Sequence, residues 1–145
     1  MKKRPPRQPL SQQQAIELLA SHGIQPTLQR LEIAQVLFSR DWHLSADDVL
    51  RRVNQESARV SKATVYNTLG LFASRGLLRE VIVDPNRVFY DPNTDDHHHF
   101  YNIDTGELFD IDADRLPPVT LPDLPEGTVP AGVDVIIRIR NQAFG

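Results

Sequence analysis

The densest chemistry in the sequence is the run Asp95-Asp96-His97-His98-His99. Alternate side chains of a strand share a face, so His97 and His99 point together and can grip one metal ion, with His98 on the opposite face. Asp110 falls on the next strand of the predicted hairpin, where its carboxylate can approach that pair. Asp91 and His43 can be carried in from the segment before the run and from the amino-terminal half. Three imidazoles and two carboxylates suit Fe²⁺, Mn²⁺ or Zn²⁺. The plain alternative is a solvated histidine run. The chain has no cysteine, which excludes disulfides, thiolate zinc sites, cysteine nucleophiles and thiol redox switching. Any metal must therefore be held by nitrogen and oxygen, and a closed structural zinc site of the sulfur type is ruled out.

A second group of residues suits nucleic acid. On a helix beginning at Ser61, the apolar stripe Val65, Leu69 and Phe72 leaves Lys62, Ala63, Tyr66, Asn67 and Gly70 on another surface. Tyr66 can lay its ring against thymine methyl groups, and Asn67 and Lys62 can reach base edges or phosphates in a major groove. Thr64 and Arg30 complete the DNA-facing set, and the basic tail of Lys2, Lys3, Arg4 and Arg7 offers backbone or minor-groove contacts. The plain reading of the same residues is a half-buried Tyr66 beside a solvated Asn67.

Four helix signals must position this face. Each starts at a residue able to cap backbone N–H groups: Ser11 with Gln14 three residues on, Thr27, Ser45 with Asp48, and Ser61. Gly23 and Gly76 are the stops of the first and fourth helices. The second buries Leu31, Ala34, Leu37 and Phe38, and the third buries Val49 and Val53. After Gly76 the period becomes that of strands, Leu78 to Val83 and Arg87 to Tyr90 around a turn at Asp84, Pro85 and Asn86. Helices in this order followed by a hairpin describe a winged helix-turn-helix. A second hairpin pairs His97–Ile103 with Glu107–Ile111 around Asp104-Thr105-Gly106. Five prolines between Leu116 and Pro130 predict an ordered extended loop in place of a helix. Alternating Val133, Val135, Ile137 and Ile139 predict a last strand from Val133 to Arg140. The division expected is a basic tail over residues 1–10, a winged-helix DNA-binding domain over 11–90 and a metal-binding domain over 91–145.

Length and charge agree with this plan. The 145 residues carry 16 Lys+Arg and 19 Asp+Glu, a net −3. Residues 1–80 hold 12 basic and 7 acidic side chains and residues 81–145 hold 4 and 12, so the total divides into +5 and −8. A basic half can face a polyanion while an acidic half with histidines holds cations. No apolar run approaches the roughly 20 residues of a membrane span, and no apolar segment follows the basic tail, so a cytoplasmic protein with no membrane partner is expected.

These residues match a known pattern. Through Gly23-Ile24-Gln25-Pro26-Thr27 to Arg30, His43-Leu44-Ser45-Ala46-Asp47, Ala63-Thr64-Val65-Tyr66, and the His97/His99 strand with Asp104-Thr105-Gly106-Glu107, the chain resembles the ferric uptake regulator family of bacterial transcription factors over nearly its whole length. The resemblance implies an α+β fold: an amino-terminal winged helix-turn-helix and a small carboxyl-terminal α/β dimerisation domain. It also implies a homodimer, double-stranded A/T-rich palindromic operator DNA, and a metal at the hinge held by His43, Asp91, His97, His99 and Asp110. An aspartate at position 91 is similar to the ligand set of the peroxide-sensing members, which oxidise a ligand histidine when Fe²⁺ meets peroxide. Many relatives have a structural zinc site of two C-x-x-C pairs; the first would fall on Asn102 and Thr105, so no structural Cys₄ zinc is expected, and no replacement is evident. Pro117, Pro118, Pro122 and Pro125 interrupt the usual dimerisation helix, and the ligands of a second metal site are missing, which leaves one regulatory site. Tyr66-Asn67-Thr68-Leu69, His97-His98-His99-Phe100-Tyr101, Leu124-Pro125-Glu126-Gly127 and the final strand are most similar to the iron response regulator branch. That branch also senses haem, and His97, His98 and His99 are then a haem-ligating candidate.

The function expected is a dimeric, metal-dependent transcriptional regulator using Fe²⁺ or Mn²⁺, with Zn²⁺ able to bind in vitro and haem as a further ligand. It is not expected to be an enzyme. The rivals are a metal-independent dimeric DNA-binding protein and a small non-haem iron enzyme with His97, His99 and a carboxylate as a facial triad.

Overall fold

The computed structural model describes residues 8–40, 42–55, 60–94 and 98–143. The chain divides into two compact units, one ending at Thr94 and the other beginning at Asp95. The class is α+β, a winged helix-turn-helix followed by a small second domain. Among the described residues no helix is long and apolar enough to cross a membrane.

The first unit holds four helices, α1 (Gln12–Ser21), α2 (Leu28–Leu37), α3 (Ala46–Val53) and α4 (Lys62–Ser74). With them is a three-stranded sheet of β1 (Leu44–Ser45), β2 (Arg79–Asp84) and β3 (Arg87–Asp91), in the order β1-β3-β2. Each helix starts where a hydroxyl can take an otherwise unpaired N–H. Ser11 Oγ accepts from Gln14 N at 3.0 Å, Thr27 Oγ1 from Arg30 N at 3.3 Å, Ser45 Oγ from Asp48 N at 3.2 Å and Ser61 Oγ from Thr64 N at 3.1 Å. Gly23 and Gly76, with φ of 69° and 80°, end α1 and α4 in the left-handed region that a side chain would oppose. The core is built on Leu19, Ile33, Leu37, Val49, Val65, Leu69 and Phe72, all fully buried. Leu31, Ala34 and Phe38 are buried as the periodicity predicts. Val53 is not: it sits on the last turn of α3 and is only half-buried. Asn54 ties the connection between α3 and α4, its Nδ2 donating to Val60 O at 2.8 Å and its Oδ1 accepting from Val60 N at 3.0 Å.

The second unit is a sheet of β4 (His98–Asn102), β5 (Leu108–Ile111) and β6 (Ile136–Ile139), ordered β5-β4-β6. Strand β5 is antiparallel to β4 and β6 is parallel to it. Apart from a 3₁₀ turn at Ala113–Arg115, the chain from Asp112 to Val135 has no helix or strand, as its prolines dictate. The strands differ from expectation in three respects. The last strand is four residues instead of eight, because alternation extends past the part that finds a hydrogen-bonding neighbour. Strand β4 stops at Asn102 rather than Ile103, where the turn begins. Strand β1 was not anticipated, since two residues are too few to show a period. Asp95, Asp96, His97 and the tail residues Lys2, Lys3, Arg4 and Arg7 lie outside the described residues.

The cap of α3 yields a prediction. Burial pushes the Asp48 carboxyl up, but the Ser45 backbone and hydroxyl hydrogen bonds and the Arg51 guanidinium outweigh it, holding the group below its ordinary value of 3.8. A lowered folded-state value stabilises the fold above the unfolded one, and the contribution fades as pH falls through the folded value. Asp48→Asn is expected to cost about 0.5–1 kcal/mol in urea unfolding at pH 7. The gap should narrow as pH falls below 3.8 and on through the lowered folded value.

Candidate metal centre and nucleic-acid interface

Two His–Asp pairs are built by strand register, one in each unit. In the first, β1 pairs with β3 so that Leu44 faces Tyr90 and Ser45 faces Phe89. Extending that register by one residue sets His43 opposite Asp91, and His43 Nε2 lies 3.2 Å from Asp91 Oδ2. Asp91 is buried, and its other oxygen accepts from Asn93 N at 2.9 Å, which fixes the carboxylate plane. Just before His43, the Trp42 indole donates to Leu37 O and stacks beneath Arg52 at 4.4 Å and Arg40 at 5.3 Å. This arrangement braces the segment that carries His43.

In the second unit His99 is the register partner of Asp110. His99 is fully buried while the Asp110 side chain is 48% exposed, and His99 Nε2 lies 3.2 Å from Asp110 Oδ1. His98, expected on the opposite face and weighed as a haem ligand, uses its Nδ1 to accept from Val135 N at 3.0 Å. His97 is outside the described residues.

Each pair presents one imidazole nitrogen and one carboxylate oxygen. With Nε2 protonated the pair is a hydrogen bond; without that proton it is a two-atom chelate. Ligand atoms about 2.1 Å from a shared ion stand about 3.0–3.4 Å apart in octahedral cis or tetrahedral arrangements. The observed 3.2 Å separations fit such an ion in both pairs. The all nitrogen and oxygen donor set suits Fe²⁺, Mn²⁺ and Zn²⁺. The buried Asp91 carboxylate is met by His43 Nε2 on one oxygen and by Asn93 N on the other.

The helix α4 exposes the predicted face: Lys62, Ala63, Tyr66, Asn67 and Gly70 are all exposed, while Val65, Leu69 and Phe72 are buried. Tyr66 is 43% exposed, its hydroxyl donates to Asp47 Oδ1 at 3.3 Å, and Lys62 Nζ stands 5.7 Å from its ring centroid. These contacts hold the ring on the exposed face near the start of α4. Thr64 and Asn67 line a groove of about 450 Å³ with Thr27, Gln29 and Arg30 at the start of α2. The Arg30 guanidinium is anchored there by donating to Gln25 O at 2.9 Å. The sequence reading passed over Leu28, which is 64% exposed in the same groove. Its signal was an apolar residue at the first helical position, off the buried stripe.

The model of the ferric uptake regulator family matches residues 21–120 of the chain. The chain belongs to the ferric uptake regulator family. It is 29% identical, over 72% of its length and 70% of the relative's, to a peroxide-responsive repressor from Staphylococcus aureus. It is similar to the structure of the ferric uptake regulator from Pseudomonas aeruginosa with manganese, with 25% identity and a TM-score of 0.65 over 88% of this chain and 97% of the other. The Vibrio cholerae ferric uptake regulator shares the fold at 19% identity and a TM-score of 0.69, covering 87% and 98% of the two chains.

Because Tyr66 is exposed, Tyr66→Ala should leave the melting temperature within about 2 °C of the parent. A role against thymine predicts that the same variant binds duplex DNA at least about tenfold more weakly at fixed salt. Unchanged affinity in a fluorescence anisotropy titration would remove Tyr66 from the interface.

Proposed function

We propose that the protein is a cytoplasmic, metal-dependent transcriptional regulator that binds A/T-rich operator DNA as a homodimer. Residues 11–90 read DNA, with the tail 1–10 adding backbone or minor-groove contacts, and residues 91–145 bind metal and dimerise. One Fe²⁺ or Mn²⁺ ion is held jointly by His43 and Asp91 of the first unit and by His97, His99 and Asp110 of the second. The observation that carries the reading is the pair of His–Asp chelates, each with its donors 3.2 Å apart. When bound, the ion supplies a positive charge that both pairs can share. The chain's own residues do the rest. Asn93 orients Asp91, the β4–β5 register orients Asp110, and Tyr66, Asn67, Lys62, Thr64 and Arg30 face the duplex. An ion changes DNA affinity only if it binds the DNA-competent arrangement more tightly than the others.

Within the family we assign the chain to the iron response regulator branch, on the residues Tyr66 to Leu69 and His97 to Tyr101. The aspartate at position 91 and the likeness to a peroxide-responsive repressor support a peroxide-sensitive ligand set. Haem is the further ligand, and His98, with Nδ1 engaged by Val135, has Nε2 to offer it.

The test uses the full chain and an A/T-rich duplex selected from a random pool, titrated anaerobically at constant salt with Fe²⁺, Mn²⁺, Zn²⁺ or haem. Fe²⁺ or Mn²⁺ is expected to change affinity by about tenfold or more, and His43→Ala to lose most of that response. Metal dependence that survives in His43→Ala refutes the shared ion. Affinity indifferent to every ligand leaves a metal-independent DNA-binding protein.

A further inference from the structure

Strand β6 is a difficult element to keep in place. It is four residues long, lies at a sheet edge, and pairs in parallel after a long stretch without helix or strand. Parallel pairing needs a crossover and gives slightly less stability per residue than antiparallel pairing. Yet β4 and the turn that follows it hold both flanks of β6 through backbone and side-chain hydrogen bonds. At the entry, Val135 N donates to His98 Nδ1 at 3.0 Å and Val135 O accepts from His99 N at 3.1 Å. At the exit, Asn102 Nδ2 donates to Asn141 Oδ1 at 2.9 Å, and Asn141 N donates to Asp104 Oδ2 at 2.8 Å. Asn102 is buried, and its Oδ1 also accepts from Asp104 N at 2.9 Å and Thr105 N at 3.1 Å. The β4–β5 turn and the end of the chain are thus tied through one amide.

Asn102 and Thr105 are the positions where the family resemblance puts the first pair of zinc thiolates. Zinc does not fit there. The chain has no cysteine, and the amide of Asn102 is already engaged as donor and acceptor in a closed set of hydrogen bonds.

We infer that Asn102, Asp104 and Asn141 form a metal-free clamp that locks β6 onto β4 and lets the carboxyl-terminal unit keep its fold with every metal removed. The inference is independent of which ion the His–Asp pairs take. A buried amide is suited to the task because losing Asn141 leaves the Nδ2 of buried Asn102 without that acceptor, which costs more than the bond itself contributes.

The test is amide hydrogen exchange on the full chain, before and after exhaustive treatment with a strong chelator, read over residues 136–141. Chelation is expected to leave exchange there within about twofold of the untreated rate, while Asn102→Ala and Asn141→Ala each raise it about three- to tenfold. Asn102→Asp keeps the acceptor for the two turn amides but loses the donor to Asn141. It should raise exchange at 139–141 while the amides of 104 and 105 stay protected. Loss of protection on chelating the parent protein overturns the inference. So does an unchanged exchange rate in Asn141→Ala, a variant at the chain end that spares the β4–β5 turn.

Discussion

Antiparallel register is the constraint on which the candidate chemistry depends. The two hydrogen-bonded residues of β1 set His43 across from Asp91, and the β4–β5 pairing sets His99 across from Asp110. A slip of one residue in either ladder would turn every side chain on that strand to the opposite face. Imidazole and carboxylate would then no longer meet. The register is in turn enforced by burial, since Leu44, Phe89, Tyr90 and Ile111 must all reach their apolar sides. Packing energy and ligand geometry are therefore not separate features of this fold.

The candidate DNA-facing surface has a different origin. It is what remains of α4 once Val65, Leu69 and Phe72 are committed to the core. Helical periodicity makes this subtraction reliable, which is why the exposed set around Tyr66 and Asn67 was legible from sequence. The caps at Ser11, Thr27, Ser45 and Ser61 were legible for a similar reason, because each bond spans three residues or fewer. The His99–Asp110 approach was readable too, because a hairpin with a short turn keeps sequence and space in step.

What sequence did not show were contacts made at long range or by very short elements. Strand β1 has no period, yet it decides where His43 points. The partners of Asn102 include a residue 39 positions away, and an asparagine before a turn reads simply as a turn former. His98 was expected on the face away from the metal pair and as a haem candidate, and no local pattern announced that its Nδ1 accepts from the backbone of Val135. The length of β6 was overread because alternating valines and isoleucines indicate a sheet face without indicating how much of it finds a partner. In each case the missing information was the identity of the neighbouring strand.

The proline-rich stretch between β5 and β6 has a consequence in the state that is never seen in the fold. A segment without helical or ladder hydrogen bonds would ordinarily be a weak point, since it brings little to offset the entropy lost on ordering it. Each of its five prolines removes conformations from the unfolded chain before folding begins, a stabilisation of about 0.4–1 kcal/mol where the folded backbone suits the ring. The stretch is thus held as much by what the denatured ensemble has been denied as by what the native one has gained. Replacing it with a flexible linker of equal length would burden the second unit even where no contact was lost.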